Sequence, residues 1–467
     1  MSRRCGGRGW RPLGLLTGTM GIESGKTTRR DLFADPARRG AAAGAMTVRT
    51  GRHGEKVSLL GYGAMRLPTK DGKHANGWAA GSSQAAIDQE AVNAHVDYAL
   101  EHGLNYFDTS PVYCRGESER VMGIALSRHP REKYFIATKL SNFNERFWPL
   151  EKSREMFETS LRSLRTDYID FYLLHAIGNG GFSTFSKRYI ENGALDWLVE
   201  QRAAGRIRNL GFSYHGDARA FEWCIEHHDK YKWDFCQIQM NYVDWRHAKE
   251  VNDRNLNAEY LYGTLAERDI PAVIMEPLLG GRLAKFNYAV ASKLKGMDPD
   301  ASMASWAFRF CGTYPKVLTI LSGMTYMQHL EANVATLSPL KPLDRKQLDT
   351  LEVAAQLMLQ NKTIPCNLCQ YCMPCPYGID IPGVFDCWNT ACTEDRLPDD
   401  ASSAAYAANR RRFLADYDRA MPDLRQAEHC IGCGRCVSHC PQRIDIPARM
   451  AEIDAQVAEW RKEERHV

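Results

Sequence analysis

The sequence predicts an α/β chain, in which a closed (β/α)₈ barrel of the TIM type precedes a small, mainly α-helical domain. Three observations predict this arrangement. Short apolar runs alternate with amphipathic stretches from residue 57 onwards, which is the pattern of βαβ units. There are eight such units, the number that closes a barrel. From about residue 341 the alternation stops, and eight of the 15 cysteines gather in two tight clusters.

Residues 1–46 are predicted to be a disordered leader. They are rich in Gly, Ala and Arg and have neither a helical nor a strand period. The stretch 28–33 resembles a twin-arginine export motif, but three charged residues interrupt the apolar segment that an export signal needs after it: Asp35, Arg38 and Arg39. We therefore expect a degenerate leader, Met46 as an alternative start, and a cytoplasmic protein. Export by the twin-arginine route is the minor alternative.

The barrel is predicted over residues 47–340. The eight candidate strands are 59–63, 105–108, 134–139, 169–175, 207–213, 235–241, 271–277 and 316–323. The helical patterns are 91–102, 117–127, 152–164, 194–204, 218–227, 259–267, 301–310 and 326–334. An open doubly wound sheet is the alternative architecture. Against it, the first strand is not followed by the glycine-rich turn that opens a helix in dinucleotide-binding folds.

Polar residues end four of the predicted strands. Asp108, Lys139, His175 and Ser213 each close an apolar run. The carboxyl ends of the strands form the catalytic face of such barrels. A single polar residue at a strand end usually marks only the return to solvent, whereas four in succession indicate a site.

Residues 341–467 are predicted to form one pseudo-symmetric domain. Cys366, Cys369, Cys372 and Cys375 follow the spacing C-x2-C-x2-C-x2-C-P, and Cys430, Cys433, Cys436 and Cys440 follow C-x2-C-x2-C-x3-C-P. Each motif continues into Ile-Asp-Ile-Pro, at 379–382 and at 444–447. Zinc is the alternative occupant, but a zinc site uses pairs of ligands and has no need for a third cysteine at the next x2 spacing.

Composition excludes several classes of function. The chain has 467 residues, 44% of them hydrophobic and 25% charged, as globular proteins of more than one structural unit have. Its net charge of +4 comes without a dense basic stripe, so nucleic acid is not an expected partner. No run of about 18 apolar residues is present, so no membrane span is predicted. The expected partners are a small-molecule substrate and a redox partner protein.

The cysteine motifs resemble those of bacterial two-cluster ferredoxins, in which three closely spaced thiolates and one remote thiolate hold each [4Fe–4S] cluster. The long spacing between the motifs resembles the helical variant of that fold. By this resemblance, one cluster is held by Cys366, Cys369, Cys372 and Cys440, and the other by Cys375, Cys430, Cys433 and Cys436. Because thiolates take every iron, the clusters are expected to transfer electrons and not to bind substrate, which disfavours a lyase.

The barrel resembles the aldo/keto reductases. The stretch Tyr106 to Tyr113, with Gly116-Glu117-Ser118-Glu119 after it, is very similar to that family's signature. The stretches 136–139 and 173–175 match its second and third blocks in order. The resemblance implies a catalytic tetrad of Asp108, Tyr113, Lys139 and His175. The chemistry needs these residue types, because a tyrosine is a weak acid that a neighbouring lysine ammonium can strengthen.

The same resemblance implies an NAD(P)H site. Ser213 and Gln237 match positions that hold the nicotinamide carboxamide, with Asn241 nearby, and Asn333 matches an adenine contact. Three departures leave the cofactor open. Met275 stands for the aromatic residue that stacks under the nicotinamide, His329 stands for the arginine that pairs with the 2′-phosphate, and Gly323-Met324 replaces a Lys–Ser pair. A flavin is therefore a second possible cofactor.

These features predict an oxidoreductase that acts on a carbonyl or alcohol group of a small molecule. A hydride carries two electrons and each cluster carries one, so direct exchange between nicotinamide and cluster is not expected. The alternative is a non-catalytic barrel that serves as an electron-transfer or regulatory subunit of a redox complex.

Overall fold

The computed structural model describes residues 44–73, 75, 85–251, 255–286, 288–360, 362–440 and 442–465. The predicted leader lies almost entirely outside the described residues. An antiparallel hairpin opens the described chain, formed by β1 (Val48–Thr50) and β2 (Lys56–Ser58). No helix among the described residues has both the length and the apolar character to span a membrane.

Eight parallel strands close into a barrel in the order β10-β3-β4-β5-β6-β7-β8-β9, which confirms the predicted fold. They are β3 (Leu60–Gly63), β4 (Tyr106–Asp108), β5 (Phe135–Leu140), β6 (Ile169–Ile177), β7 (Ile207–Tyr214), β8 (Phe235–Gln239), β9 (Ala272–Met275) and β10 (Val317–Ser322). All nine residues of β6 are buried, because one face of the strand points into the barrel and the other lies under the helices. Each of the eight apolar runs coincides with one strand, and β5, β6 and β7 extend one or two residues beyond the ends of their runs.

Helices surround the barrel: α1 (Gln89–Glu101), α2 (Ser118–Leu126), α3 (Leu150–Leu164), α4 (Phe182–Phe185), α5 (Ala194–Ala203), α6 (Ala218–Glu226), α7 (His228–Tyr231), α8 (Asp244–Val251), α9 (Ala258–Glu267), α10 (Tyr288–Met297), α11 (Met303–Thr313) and α12 (Met327–Leu337). The next helix, α13 (Arg345–Leu359), buries Leu351, Ala354 and Met358 in the barrel core. The sequence boundary at residue 341 assigned this helix to the second domain, whereas its apolar face packs on the barrel.

The second domain has its own core around α14 (Ile381–Thr393), α15 (Tyr406–Ala420) and α16 (Ile446–Arg465). Phe413 packs edge-on against Trp460, with 4.9 Å between ring centroids. The repeated Ile-Asp-Ile-Pro begins a helix each time. Asp380 accepts a hydrogen bond from Gly383 N at 3.1 Å, and Asp445 accepts one from Ala448 N at 3.2 Å. Each aspartate thereby caps the start of a helix, and the proline that follows occupies its first turn.

Candidate active site

The four predicted catalytic side chains lie at the carboxyl ends of three neighbouring strands. Asp108 is the last residue of β4, and Tyr113 begins the short 3₁₀ turn after it. Lys139 lies one residue before the end of β5, and His175 lies near the end of β6. These strands pair in parallel, so their carboxyl ends meet at one rim. All four side chains are buried, from 0% exposed for Lys139 to 8% for Tyr113.

The Lys139 ammonium is held by three oxygen atoms. Its Nζ donates to Oδ1 and Oδ2 of Asp108 and to the backbone oxygen of Thr109, each at 2.7 Å. An ammonium has three N–H donors, so these bonds use all of them. Burial lowers the pKa of Lys139, and the Asp108 carboxylate opposes that shift. The three hydrogen bonds therefore hold the Lys139 side chain in place at the barrel mouth.

Tyr113 lies between Lys139 and His175. Lys139 Nζ is 4.7 Å from the centroid of the tyrosine ring. The imidazole of His175 meets that ring edge-on, with 6.1 Å between centroids. Burial raises the pKa of Tyr113 well above 10, and the Asp108 charge raises it further. The hydroxyl therefore keeps its proton at neutral pH.

A chain of hydroxyl groups orients His175. Its Nδ1 is 2.6 Å from Ser141 Oγ, which is 2.9 Å from Ser110 Oγ. Burial lowers the pKa of His175 well below 6.5, and the positive charge of Lys139 lowers it further. The imidazole is therefore neutral, and its contact with Ser141 fixes the orientation of the ring.

Several residues that support His175 were not found from the sequence. Arg188 is 1% exposed, and its Nη2 donates to the backbone oxygen of His175 at 2.8 Å. The Tyr189 hydroxyl donates to the same oxygen at 3.0 Å. Ser110 stands inside the signature stretch 106–113 and could have been singled out there. Arg188 follows no recognisable spacing, so only the fold brings it beneath the site.

The residues matched to nicotinamide differ in the hydrogen-bonding capacity they have left. Ser213 Oγ accepts from Ala176 N at 2.7 Å. Asn241 Nδ2 donates to Asp244 and to the Glu276 backbone, and its Oδ1 accepts from two backbone amides. Gln237 is different, because its Oε1 is buried and has no partner. One acceptor in this region is therefore available to a bound molecule.

The eight motif cysteines form two groups of neighbours, and each group mixes both motifs. Cys369 lies beside the other members of the first thiol group, which comprises Cys366, Cys369, Cys372 and Cys440. Cys436 lies beside the other members of the second thiol group, which comprises Cys375, Cys430, Cys433 and Cys436. This division is the one that the ferredoxin resemblance implies. Cys372 also neighbours Cys436, so the two groups are adjacent.

Thiols in both groups are ionised only with difficulty. Burial raises the pKa of Cys366 to about 12 and that of Cys436 to about 11, so bound iron would be needed to keep them as thiolates. Within the part of the chain that the structure describes, no three Cys, His, Asp or Glu side chains converge on a single ion. A [4Fe–4S] cube does not require such convergence, because each thiolate binds a different iron at a corner of the cube.

The first cysteine loop, residues 363–372, lies on the barrel mouth. Arg66 Nη2 donates to Asn367 O at 2.7 Å, and Arg282 Nη2 donates to Thr363 Oγ1 at 2.9 Å. Within this loop, Tyr371 lies close enough to Tyr113 to contribute to its raised pKa. The loop that carries three cysteines therefore borders the tyrosine of the tetrad.

The residues that follow Cys440 contact the barrel mouth at the ends of β7 and β8. Gln442 Nε2 donates to Gln239 Oε1 at 3.2 Å, at the end of β8. The guanidinium of Arg443 lies over Gly216, just beyond β7, where a Cβ would be 2.8 Å from Nη2. Because Cys440 belongs to the first thiol group, that group spans both contacts and faces the barrel.

The fold and this site are those of an oxidoreductase barrel joined to an iron–sulfur domain. The chain belongs to the aldo/keto reductase family, whose sequence profile matches residues 60–355. The profile of a 4Fe-4S binding domain matches residues 426–444. The chain is therefore an oxidoreductase that contains a 4Fe–4S domain.

Similar proteins cover the barrel. The L-galactose dehydrogenase of Arabidopsis thaliana is 26% identical over 337 residues, which is 68% of this chain and 97% of that protein. The protein tas of Escherichia coli is 28% identical and covers 60% of this chain and 90% of its own length. The holo form of an aldo-keto reductase of Bacillus halodurans superposes with a TM-score of 0.52 at 22% identity, over 66% of this chain and 96% of that one. That structural likeness concerns the fold.

Proposed function

We propose that this chain interconverts a carbonyl and an alcohol group of a small molecule, with Tyr113 as the acid and base. The observation that carries the proposal is the convergence of Tyr113, Lys139 and His175 at the barrel mouth, beside the first cysteine loop. In the reducing direction Tyr113 gives its proton to the substrate oxygen. Lys139 stabilises the phenolate that remains, and His175 orients the carbonyl.

We further propose that the two thiol groups hold two [4Fe–4S] clusters. Each cluster supplies or removes one electron when bound. A redox partner protein would then exchange electrons with the second thiol group, whose Cys433 is exposed. Buried, unpaired cysteines such as Cys224, Cys236 and Cys311 support a reducing compartment, for which we propose the cytoplasm.

The test replaces Tyr113 with phenylalanine, which removes only the hydroxyl. The protein is assayed anaerobically with methylglyoxal, the compound that appears in the name of a similar protein, the methylglyoxal reductase of Escherichia coli. NADH, NADPH and reduced methyl viologen are each offered as donor, and the alcohol product is measured by chromatography. We expect turnover with at least one donor and a loss of roughly 10² or more in Tyr113→Phe.

The control is Tyr260→Phe, since Tyr260 is 47% exposed on the outer helix α9. It should keep wild-type turnover. If Tyr113→Phe also keeps it, the tetrad is not catalytic and the non-catalytic electron-transfer subunit becomes the better account. The visible spectrum of the anaerobically purified chain separates a bound flavin from clusters alone.

A further inference from the structure

The route predicted for a nicotinamide dinucleotide crosses two loops of the barrel. Its nicotinamide end would lie at Ser213 and Gln237, on β7 and β8, and its adenine end at Asn333, on α12. In the closed barrel β9 lies between β8 and β10, and α12 follows β10. A molecule that touches both ends must therefore pass the loops after β9 and β10.

The loop after β9 is covered by the first cysteine loop. Gly280 has a φ of +68°, and a Cβ added there would lie 2.3 Å from Asn367 Cα. The Asn367 side chain also hydrogen-bonds the buried carboxylate of Glu276. The same carboxylate accepts a hydrogen bond from Gly280 N at 2.7 Å. Backbone meets backbone at Gly280, so no layer is left between the two loops for a ligand.

The loop after β10 is joined to the same cysteine loop through Arg66. A Cβ on Gly323 would lie 3.4 Å from Arg66 Cδ, so the aliphatic stem of the arginine packs on that loop. Its guanidinium donates to Asn367 O at 2.7 Å. Thr325 Oγ1 donates to the Arg66 backbone oxygen at 2.9 Å and fixes the arginine from the other side. Arg66 and Asn367 thus form a continuous bridge across the route.

The nicotinamide end is altered as well. Met275 stands where the ring would stack, and its Sδ accepts from Gln237 Nε2 at 3.5 Å. The hydrogen-bonding groups of Asn241 are all used within the protein. Gln237 Oε1 is the exception, a buried acceptor without a partner. The residues described therefore fit a small group beside Gln237 and do not fit an extended dinucleotide.

We propose that residues 363–372 take the place of the dinucleotide, so that this barrel binds no NAD(P)H and its substrate is reduced by electrons from the first thiol group's cluster. This inference rests on the proposed function for the tetrad and for the cluster ligands. Gln237 Oε1 then remains to accept a hydrogen bond from the substrate itself.

The electron count restricts the substrate class. A carbonyl takes up two electrons and two protons to become an alcohol. Two clusters hold two electrons in total, Tyr113 supplies the proton at oxygen, and water supplies the other and reprotonates Tyr113. Because the electrons arrive singly, the substrate passes through a radical, which is accessible only where a second π system delocalises it. The inferred substrate is thus a conjugated carbonyl, such as a quinone or an α-dicarbonyl.

The experiment has two arms on the anaerobic, cluster-loaded full chain. In the first, NADPH and NADH are titrated and binding is followed by nicotinamide fluorescence excited through tryptophan. In the second, the chain is reduced with dithionite, freed of it by gel filtration and mixed with menadione. We expect no saturable binding up to millimolar NAD(P)H. We also expect one menadiol per chain in the second arm, formed roughly 10²-fold more slowly in Tyr113→Phe and at the wild-type rate in Tyr260→Phe.

Saturable binding of either nucleotide at micromolar concentration overturns the inference, while a slowed Tyr113→Phe would leave the proposed oxidoreductase standing. If no nucleotide binds but Tyr113→Phe is reoxidised as fast as the wild type, electrons do not reach the tetrad. In that case both the inference and the proposed function fail.

Discussion

The two thiol groups share a cysteine spacing but have different surroundings. The loop of the first group is fixed to the barrel by Arg66 and packs on Gly280. In the second group Cys433 is exposed, and Ile431, two residues before it, is 64% exposed. The spacing of the cysteines therefore indicates which kind of metal centre is bound. Contacts from distant parts of the chain determine whether that centre lies beside the barrel or at the protein surface.

This contrast indicates the direction in which electrons would move through the molecule. The first group borders Tyr113 through Tyr371, and the second group meets the surroundings of the protein. Cys372 neighbours Cys436, which links the two groups. In our account electrons enter at the second group and leave at the first when the substrate is reduced.

The largest expected effect concerns metal content. The reconstituted wild-type chain should hold about eight iron and eight sulfide, from two cubanes. Cys369→Ala should remove the first cluster and Cys433→Ala the second, so that each variant retains about four iron. Iron and sulfide analysis measures both.

Cys387→Ala is the matched control, because Cys387 lies in the same domain but in neither group. It should keep the full iron content. Zinc in place of iron, or a wild-type content near four iron, would contradict the proposal that both thiol groups hold [4Fe–4S] clusters.

The next effect concerns the docking of the first group. Gly280 and Gly281 both have positive φ, at +68° and +94°, so alanine strains the backbone at either position. Only Gly280 faces Asn367, and nothing lies within 4 Å of a Cβ on Gly281. Gly280→Ala must therefore shift the cysteine loop relative to the barrel. We expect reduction of menadione by the reduced chain to slow by roughly 10²-fold in Gly280→Ala.

Gly281→Ala should lose stability by about 1 kcal/mol and keep the rate of menadione reduction. Thermal unfolding and stopped-flow absorbance separate the two effects. Equal rates in the two alanine variants would show that the contact between the loop and the barrel does not matter for electron transfer.

How much the sequence could predict differs between these features. The eight strands, the strand-end residues Asp108, Lys139 and His175, and the two cysteine motifs all follow local patterns. Strand periodicity and ligand spacing operate over a few residues, so a single sequence carries them. The contact between Arg66 and Asn367 joins positions 301 residues apart and follows no period. Only the fold brings these two residues together.

The helix α13 and the residues matched to the nicotinamide site show the same limit of prediction from sequence. The amphipathic pattern of residues 343–360 indicates a helix, but it does not indicate which surface the apolar face of that helix covers. Ser213 and Asn241 carry suitable side chains, yet partners elsewhere in the fold already occupy their hydrogen-bonding groups. A residue type predicts what a side chain can bind, and only the fold determines whether it is available.

The smallest expected effect concerns the reduction potential of the first cluster. Arg282 of the barrel neighbours Cys366, and a positive charge there favours the more negative, reduced form of the cluster. Arg282→Gln should shift the reduction potential of this cluster to a more negative value, by about 59 mV if the equilibrium constant for its one-electron reduction changes tenfold. Arg345→Gln, at a side chain that is 84% exposed on α13, should change neither potential. Spectroelectrochemical titration measures the reduction potentials of both clusters. Equal shifts of the two potentials would contradict the proposal that Arg282 acts mainly on the first cluster.

We propose that the first cluster, and not the second, delivers electrons to a substrate at Tyr113. The most direct measurement uses the two variants that each retain one cluster, reduced anaerobically and mixed with menadione in a stopped-flow cell. We expect rapid single-electron reoxidation in Cys433→Ala, which keeps the first cluster. Reoxidation in Cys369→Ala, which keeps only the second, should be slower by roughly 10²-fold. Equal rates in the two variants, or faster reoxidation of Cys369→Ala, would contradict it.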